Sequence, residues 1–335
     1  MDPIALARQL VQIPSPTGSE TAVARFAAGV LRSAGYQVVE QEVTSGRFNV
    51  YATLDRPTVV FCTHLDVVPP DLPVREDEEY LYGRGANDAK GIAASMIVAV
   101  DRLKAAGERR VGVLLTVGEE TDSDGARAAR DLEPKGRFIV NGEPTENRLS
   151  VGQKGAFGVR LTAAGRAAHS AYPEDGESAI ERLLNALGEI RGLSYDTDSL
   201  LGQTTFNIGR IGGGVAANVV PAEAWADLLF RTVSNGDRLR TTLERTLGRG
   251  VTMDVTIDTP PVRSAPLPGW DWTVVAYASD LPHLTEWGTG YQLGPGTIRR
   301  AHTADEKIAK SEILTAVELY QRLARQLLQP DRERP

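Results

Sequence analysis

Thr58-Val-Val-Phe-Cys-Thr-His-Leu-Asp66 is an apolar, β-branched run that stops in His-x-Asp. It reads as a strand, and the elements on either side decide what kind of sheet it joins. Upstream, residues 20–34 carry apolar side chains at helical spacing (Val23, Phe26, Ala27, Val30, Leu31) before Gly35 stops the helix. Short β-branched runs follow at 36–43 and 49–54. Downstream, the pattern predicts a helix over 91–106, a strand over 110–117, a helix over 126–132 and a strand over 138–140. Strands alternating with helices point to an α/β fold with a mixed, largely parallel sheet covered by helices on both faces.

The rhythm changes near residue 153. A strand (155–163), a helix (177–190), two strands (205–211, 222–231), a helix (235–247) and a strand (251–257) read β-α-β-β-α-β. That order fits a ferredoxin-like module of about a hundred residues. Thr259-Pro260-Pro261 then reads as a return linker, and 311–328 as a last amphipathic helix with Ile313, Val317, Tyr320 and Leu327 on its apolar face. The expected organisation is one domain, 1–152 with 264–335, interrupted by a second at 153–263.

Composition narrows the function classes. The 335 residues are 41% apolar and 24% charged, with a net charge of −7 that is spread rather than blocked. No basic stripe is present to neutralise a phosphate backbone, so nucleic acid is not an expected partner. The longest apolar stretch, 92–100, is too short to span a bilayer. The N-terminus shows neither a basic n-region nor a cleavage site, which leads to the expectation of a cytoplasmic protein. One cysteine, Cys62, excludes an intrachain disulfide and a cysteine-rich zinc site.

Only four histidines occur, so their company is informative. His64 ends an apolar strand, where open α/β sheets place ligands, and Asp66 is spaced to hold its second ring nitrogen. Tyr82-Gly-Arg-Gly-Ala-Asn-Asp-Ala-Lys-Gly91 is a glycine-punctuated loop running into a helix, without the Gly-Lys-Ser/Thr of a phosphate loop. Asp88 in it is either a metal ligand or a helix N-cap. Glu119 and Glu120 follow a strand, and Glu143 follows another in Phe138-Ile-Val-Asn-Gly-Glu-Pro-Thr145. His302 precedes the final helix. Two histidines and three carboxylates at one sheet edge, without thiolate, suit two divalent ions of the zinc, cobalt or manganese type.

The joint occurrence of His64-Leu-Asp66, Gly83-Arg-Gly with Asp88-Ala-Lys-Gly, Glu119-Glu120, Gly142-Glu-Pro-Thr and His302-Thr-Ala-Asp-Glu resembles the M20 family of dinuclear metallohydrolases. That family includes acetylornithine deacetylase, succinyl-diaminopimelate desuccinylase, aminoacylase and carboxypeptidase G, and the match runs from about residue 10 to 328. The resemblance implies that Asp88 bridges two ions, that His64 and Glu143 complete one site, and that Glu120 and His302 complete the other. It implies Asp66 as the residue orienting His64 and Glu119 as general base. It also implies a lid that dimerises, with His169 reaching the other subunit's active site to stabilise the oxyanion. Asn218 and Arg231 would grip a substrate α-carboxylate, beside a loop containing Gly294 and Gly296.

The connection from 69 to 83 is short, and in this the chain is similar to the lysine- and ornithine-releasing members. The leading expectation is therefore deacylation of an N-acetyl-ornithine or N-acetyl-lysine-like substrate. A dipeptidase or carboxypeptidase is the alternative, and a noncatalytic, metal-binding dimeric scaffold is the alternative of another class. Cys62 reads as a small core residue, His283 as surface structure, and Trp270 and Trp272 as packing. Taken without the resemblance, Arg231 ends an edge strand.

Overall fold

The computed structural model describes residues 1–329. Two compact units are present: Met1–Val151 with Ser264–Thr273 and the segment from Ser279 onward, and Gly152–Arg263 with Val274–Ala278.

The first unit is built on a mixed sheet. Seven of the sheet's nine strands lie in the order Gln37–Thr44, Arg47–Thr53, Val111–Thr116, Val59–His64, Phe138–Asn141, Thr289–Gln292 and Leu149–Gln153. Pairing is parallel among the four strands from Val111–Thr116 to Thr289–Gln292 and antiparallel on both flanks. Val59–His64 is buried along its whole length, as a central strand covered on both faces must be. The helix Lys90–Ala105 packs against Pro3–Val11 and Lys310–Leu327. Every residue from Lys90 to Val100 is buried, which explains an apolar stretch too short for a membrane: the helix has neighbours all round. Among the described residues no helix is long and apolar enough to cross a membrane.

Several elements carry little sequence signal. Pro3–Val11 is a helix capped by Asp2, whose carboxylate accepts the Ile4 and Ala5 N–H groups. The helix expected over 126–132 is a five-residue turn of helix, Asp124–Ala128, followed by a 3-10 turn. A small sheet joins Arg75–Glu76, Tyr80–Tyr82 and Lys307–Ala309, with Lys307 opposite Tyr82.

The second unit is a four-stranded antiparallel sheet in the order Thr205–Gly213, Glu223–Thr232, Gly155–Ala164, Val251–Thr259. With the helices Ala179–Gly192 and Gly236–Thr246 this is the β-α-β-β-α-β order. Glu223–Thr232 alternates cleanly, with Ala224, Ala226, Leu228 and Phe230 buried and the residues between them exposed or half-buried. The buried set packs with Leu183, Leu187, Ile190 and Leu243 into a core of its own. Arg231 does not end an edge strand: its strand is paired on both sides, with Thr205 and Ala156 opposite Arg231.

Candidate metal centre

Parallel pairing sends three loops of the first unit to one edge. His64 is the last residue of its strand and lies opposite Thr116, so Glu119 and Glu120 follow just beyond the neighbouring strand. On the other side Cys62 lies opposite Asn141, and Glu143 follows two residues later. Antiparallel neighbours would have carried these loops to opposite ends.

Asp88 arrives from the turn before Lys90–Ala105. The N-cap of that helix is Ala89 and no side chain caps it, so the choice between cap and ligand resolves against the cap. Asp88 Oδ1 stands 3.2 Å from His64 Nε2, and Oδ2 stands 3.6 Å from His302 Nε2. His302 Nε2 is also 3.0 Å from Glu120 Oε2. Two ligand groups result, His64–Asp88–Glu143 and Asp88–Glu120–His302, with donor atoms in each within 4.8 Å of one another. Asp88 belongs to both. The five residues singled out as ligands are thus brought together, and Glu119 lies outside both groups.

In the ion-free protein burial, then the Glu143 carboxylate, push Glu119 well above the ordinary carboxylate range. Burial, then Asp88, do the same to Glu143. Burial opposes charge on His64, yet Asp66 and Asp88 outweigh it and raise its pKa. The hydrogen bond to Glu120 raises His302. The nearby cations are engaged elsewhere: Lys90 Nζ donates to the Ile13 carbonyl at 2.6 Å, and Arg84 pairs with Glu306. Among the described residues, these crowded carboxylates with two imidazoles are a donor set that divalent cations fit, since buried like charges need compensation.

Asp66 holds the site in a way its spacing did not reveal. His64 Nδ1 is 3.0 Å from the Asp66 carbonyl and 3.5 Å from its carboxylate. An Nδ1–H donated to the carbonyl leaves Nε2 facing Asp88. The carboxylate also accepts the N–H groups of Glu119 and Glu120, each at 3.1 Å, and the Thr17 hydroxyl at 2.8 Å. Burial works against ionisation there, but the His64 ring, Thr17 and the Glu120 N–H keep the acid below its usual value.

Two residues at the site escaped sequence reasoning. Glu306 Oε1 accepts the N–H groups of Gly85, Asn87 and Asp88 at 2.9, 3.1 and 3.2 Å, while Oε2 takes Arg84 Nη1 at 2.6 Å. It sits inside the His302 motif, so its position carried a signal that was not used. Asp280 carried none. Its Oδ2 accepts the Thr116 hydroxyl at 2.9 Å, its Oδ1 has no hydrogen-bond partner, and burial pushes its pKa up to about 6.

Gly294 and Gly296 line the back of the ligand loops. A Cβ on Gly294 would stand 2.5 Å from the Glu143 carbonyl oxygen, and one on Gly296 (φ +81°) would collide with Asn87 Oδ1. In the second unit, His169 and Asn218 belong to two loops that pair: Ser170 N–H donates to the Asn218 carbonyl at 3.0 Å, and His169 bridges Val219. His169 and Asn218 are both exposed, and His169 Nδ1 accepts the Ala171 N–H at 3.1 Å.

Cys62 is fully buried. Trp270 is buried with its indole N–H on Gln326 Oε1 at 2.7 Å, whereas Trp272 is half exposed rather than packed away. His283 is half-buried, and burial, then Arg127, lower its pKa to about 4.

Residues 60–326 match the family model for Peptidase family M20/M25/M40. A peptidase M20 domain-containing protein of Schizosaccharomyces pombe is 37% identical over 333 residues, covering 96% of this chain and 83% of that protein. A probable carboxypeptidase of Aspergillus flavus is 36% identical over 377 residues, covering 96% of this chain and 86% of that protein. Among solved structures, a tripeptidase from Staphylococcus aureus superposes with a TM-score of 0.82 at 22% identity, over 97% of this chain and 98% of that one. The chain belongs to the M20 peptidase family and is a hydrolase of that family. This sets aside the noncatalytic scaffold.

Proposed function

We propose that this chain hydrolyses the amide bond next to a free α-carboxylate in a short peptide or N-acyl amino acid, using two divalent ions. His64, Asp88 and Glu143 would hold one ion, and Asp88, Glu120 and His302 the other. The observation that carries the reading is Asp88 standing between both imidazoles while Glu119 remains outside the ligand groups. When bound, the ions supply Lewis acidity that polarises the scissile carbonyl and makes a water acidic near neutral pH. Their oxygen and nitrogen donors favour zinc, with cobalt or manganese as substitutes.

Glu119 is the general base. Asp66 pins its main-chain N–H, so the carboxyl can take a proton from the attacking water and return it to the leaving amine. Arg231 and Asn218 would bind the substrate carboxylate, for which a planar guanidinium suits better than an ammonium. His169 of a second copy, joined through residues 153–263, would donate to the oxyanion as its charge develops. Gly294 and Gly296 would shape the wall of the pocket, and a cytoplasmic setting completes the reading.

Relatives named as probable carboxypeptidases favour a peptide substrate over the deacylation that led the sequence reading. The short connection from 69 to 83 keeps N-acetyl-ornithine or N-acetyl-lysine as the second reading. Amine release by zinc- or cobalt-loaded protein, across dipeptides, tripeptides and N-acetyl amino acids, separates the two. Glu119→Ala is expected to retain both ions and lose turnover. Full turnover in that variant would refute the assignment.

A further inference from the structure

An ion triad stands beneath the turn that carries Glu119 and Glu120. Arg47 opens the strand Arg47–Thr53, and its Nε and Nη2 donate to Glu20 Oε2 and Oε1 at 2.9 and 2.8 Å. Its Nη1 and Nη2 also reach Asp124 Oδ2 and Oδ1 at 2.5 and 3.3 Å. The Glu20 side chain is fully buried, and those of Arg47 and Asp124 are 13% and 24% exposed. Two residues along the same strand, Asn49 accepts the Val117 N–H at 3.2 Å and donates to the Gly125 carbonyl at 2.8 Å.

These contacts grip the 117–125 loop at both ends. Val117 and Gly125 are held by Asn49, and Asp124 is held by Arg47. The loop also closes on itself, with Gly125 N–H on the Val117 carbonyl at 3.1 Å and Ser123 N–H on Gly118 at 2.8 Å. Gly118 (φ +78°) lies directly on the triad: a Cβ there would overlap the Asp124 carboxylate and stand 2.9 Å from Arg47 Nη2. The next two residues are Glu119 and Glu120, whose N–H groups Asp66 holds from the other side.

We infer that Arg47, locked between Glu20 and Asp124, is a positioning residue for Glu119 and Glu120. A buried ion cluster is weak evidence for stability, because desolvation offsets the attraction. A guanidinium fork engaged with two carboxylates does restrict geometry, and this one restricts the segment bearing the base and one ligand. The inference rests on the roles proposed above for those two residues. The segment's position is set from two sides, by Asp66 within the site and by Arg47 together with Asn49 behind it. Releasing one grip lets the Glu119 and Glu120 carboxylates drift while His64, Asp88 and Glu143 stay in place.

Arg47→Ala and Glu20→Gln are the variants, the second nearly isosteric so that it remains readable where the first fails to fold. At saturating zinc, kcat is expected to fall about 10- to 100-fold with KM changed less than about two-fold, the signature of a displaced base. In titration calorimetry on ion-free protein, one ion is expected to bind about 10- to 100-fold more weakly and the other as before. Hydrogen exchange at the Glu119 and Glu120 amides is expected to quicken in the ion-free variant. Millimolar guanidinium is expected to return part of the lost kcat to Arg47→Ala. Wild-type kcat and ion affinities in a folded variant, with only a lower Tm, overturn the inference. Should Glu119→Ala turn over as wild type, the proposed base itself fails. An inactive Glu119→Ala beside fully active Arg47 and Glu20 variants removes the clamp alone.

Discussion

Glu306 accepts the main-chain N–H of Asp88 through Oε1 at 3.2 Å, so a carboxylate outside both ligand groups fixes the backbone of the residue common to them. The same carboxyl pairs with Arg84 in a bridge whose side chains are 0% and 2% exposed. Glu306→Ala leaves the buried Arg84 guanidinium without its carboxylate, held by the Pro70 and Thr303 carbonyls alone, and removes the acceptor of three N–H groups. It is expected to cost about 3–5 kcal/mol and to weaken binding of both ions. Urea denaturation and ion stoichiometry check this, and an unaltered stoichiometry would count against the buttress.

Asp88, common to the two candidate ligand groups, lets the two proposed ion sites be separated experimentally. Asp88→Asn is expected to weaken both ions, because each group loses a carboxylate charge. His302→Ala is expected to leave one tightly bound ion, held by His64, Asp88 and Glu143. Inductively coupled plasma measurement after dialysis reads the stoichiometry directly. Equal losses in the two variants would contradict separate groups.

Asp280 links the site to pH. Its pKa rises from 3.8 to about 6, with burial the chief cause. Between those values the native state keeps a proton that the unfolded chain has released, so stability from this group falls as pH rises from about 4 to about 6. Above that window the cost is complete, on the order of 3 kcal/mol at most. Asp280→Asn in ion-free protein is expected to match wild type near pH 4 and to be the more stable of the two at pH 7–8. Thermal unfolding across that range tests it, and parallel wild-type and variant curves would remove the effect.

Gly294 tests the packing behind Glu143. With a Cβ falling 2.5 Å from the Glu143 carbonyl oxygen, one backbone must retreat. Gly294→Ala is expected to cost about 1–3 kcal/mol and to lower affinity chiefly at the His64–Asp88–Glu143 group. Wild-type Tm together with wild-type ion affinity would show that the loop yields freely.

Much of the architecture was legible because local patterns were unambiguous. The β-α-β-β-α-β run was legible because strands such as Glu223–Thr232 alternate strictly and are set off by helical periods. Of the four central strands of the first unit three were read from apolar, β-branched runs, and one was not: Thr289–Gln292 is four residues long and half of it is not buried, so neither length nor period marked it. The three-residue 3-10 turns and the small three-stranded sheet were missed for the same reason, too few residues to establish a period.

At the site, residue type and order along the chain marked His64, Asp88, Glu119, Glu120, Glu143 and His302 as candidates, with Asp88 open between ligand and helix cap, and the resemblance to the M20 family supplied the roles expected of them. Their joining was decided elsewhere. The segment bearing His302 and Glu306 meets the turn bearing Asp88 because Lys307–Ala309 pairs with Tyr80–Tyr82, and Arg84 bonds Glu306 across 222 positions of sequence. No local pattern encodes a contact of that separation. Asp280, Arg47 and Glu20 belong to the same class: each is an ordinary charged residue in its own stretch of chain, and only burial against distant neighbours gives it work. Chemistry that depends on residue identity is written along the chain, whereas the desolvation and close approach that tune it exist only once the strands have paired.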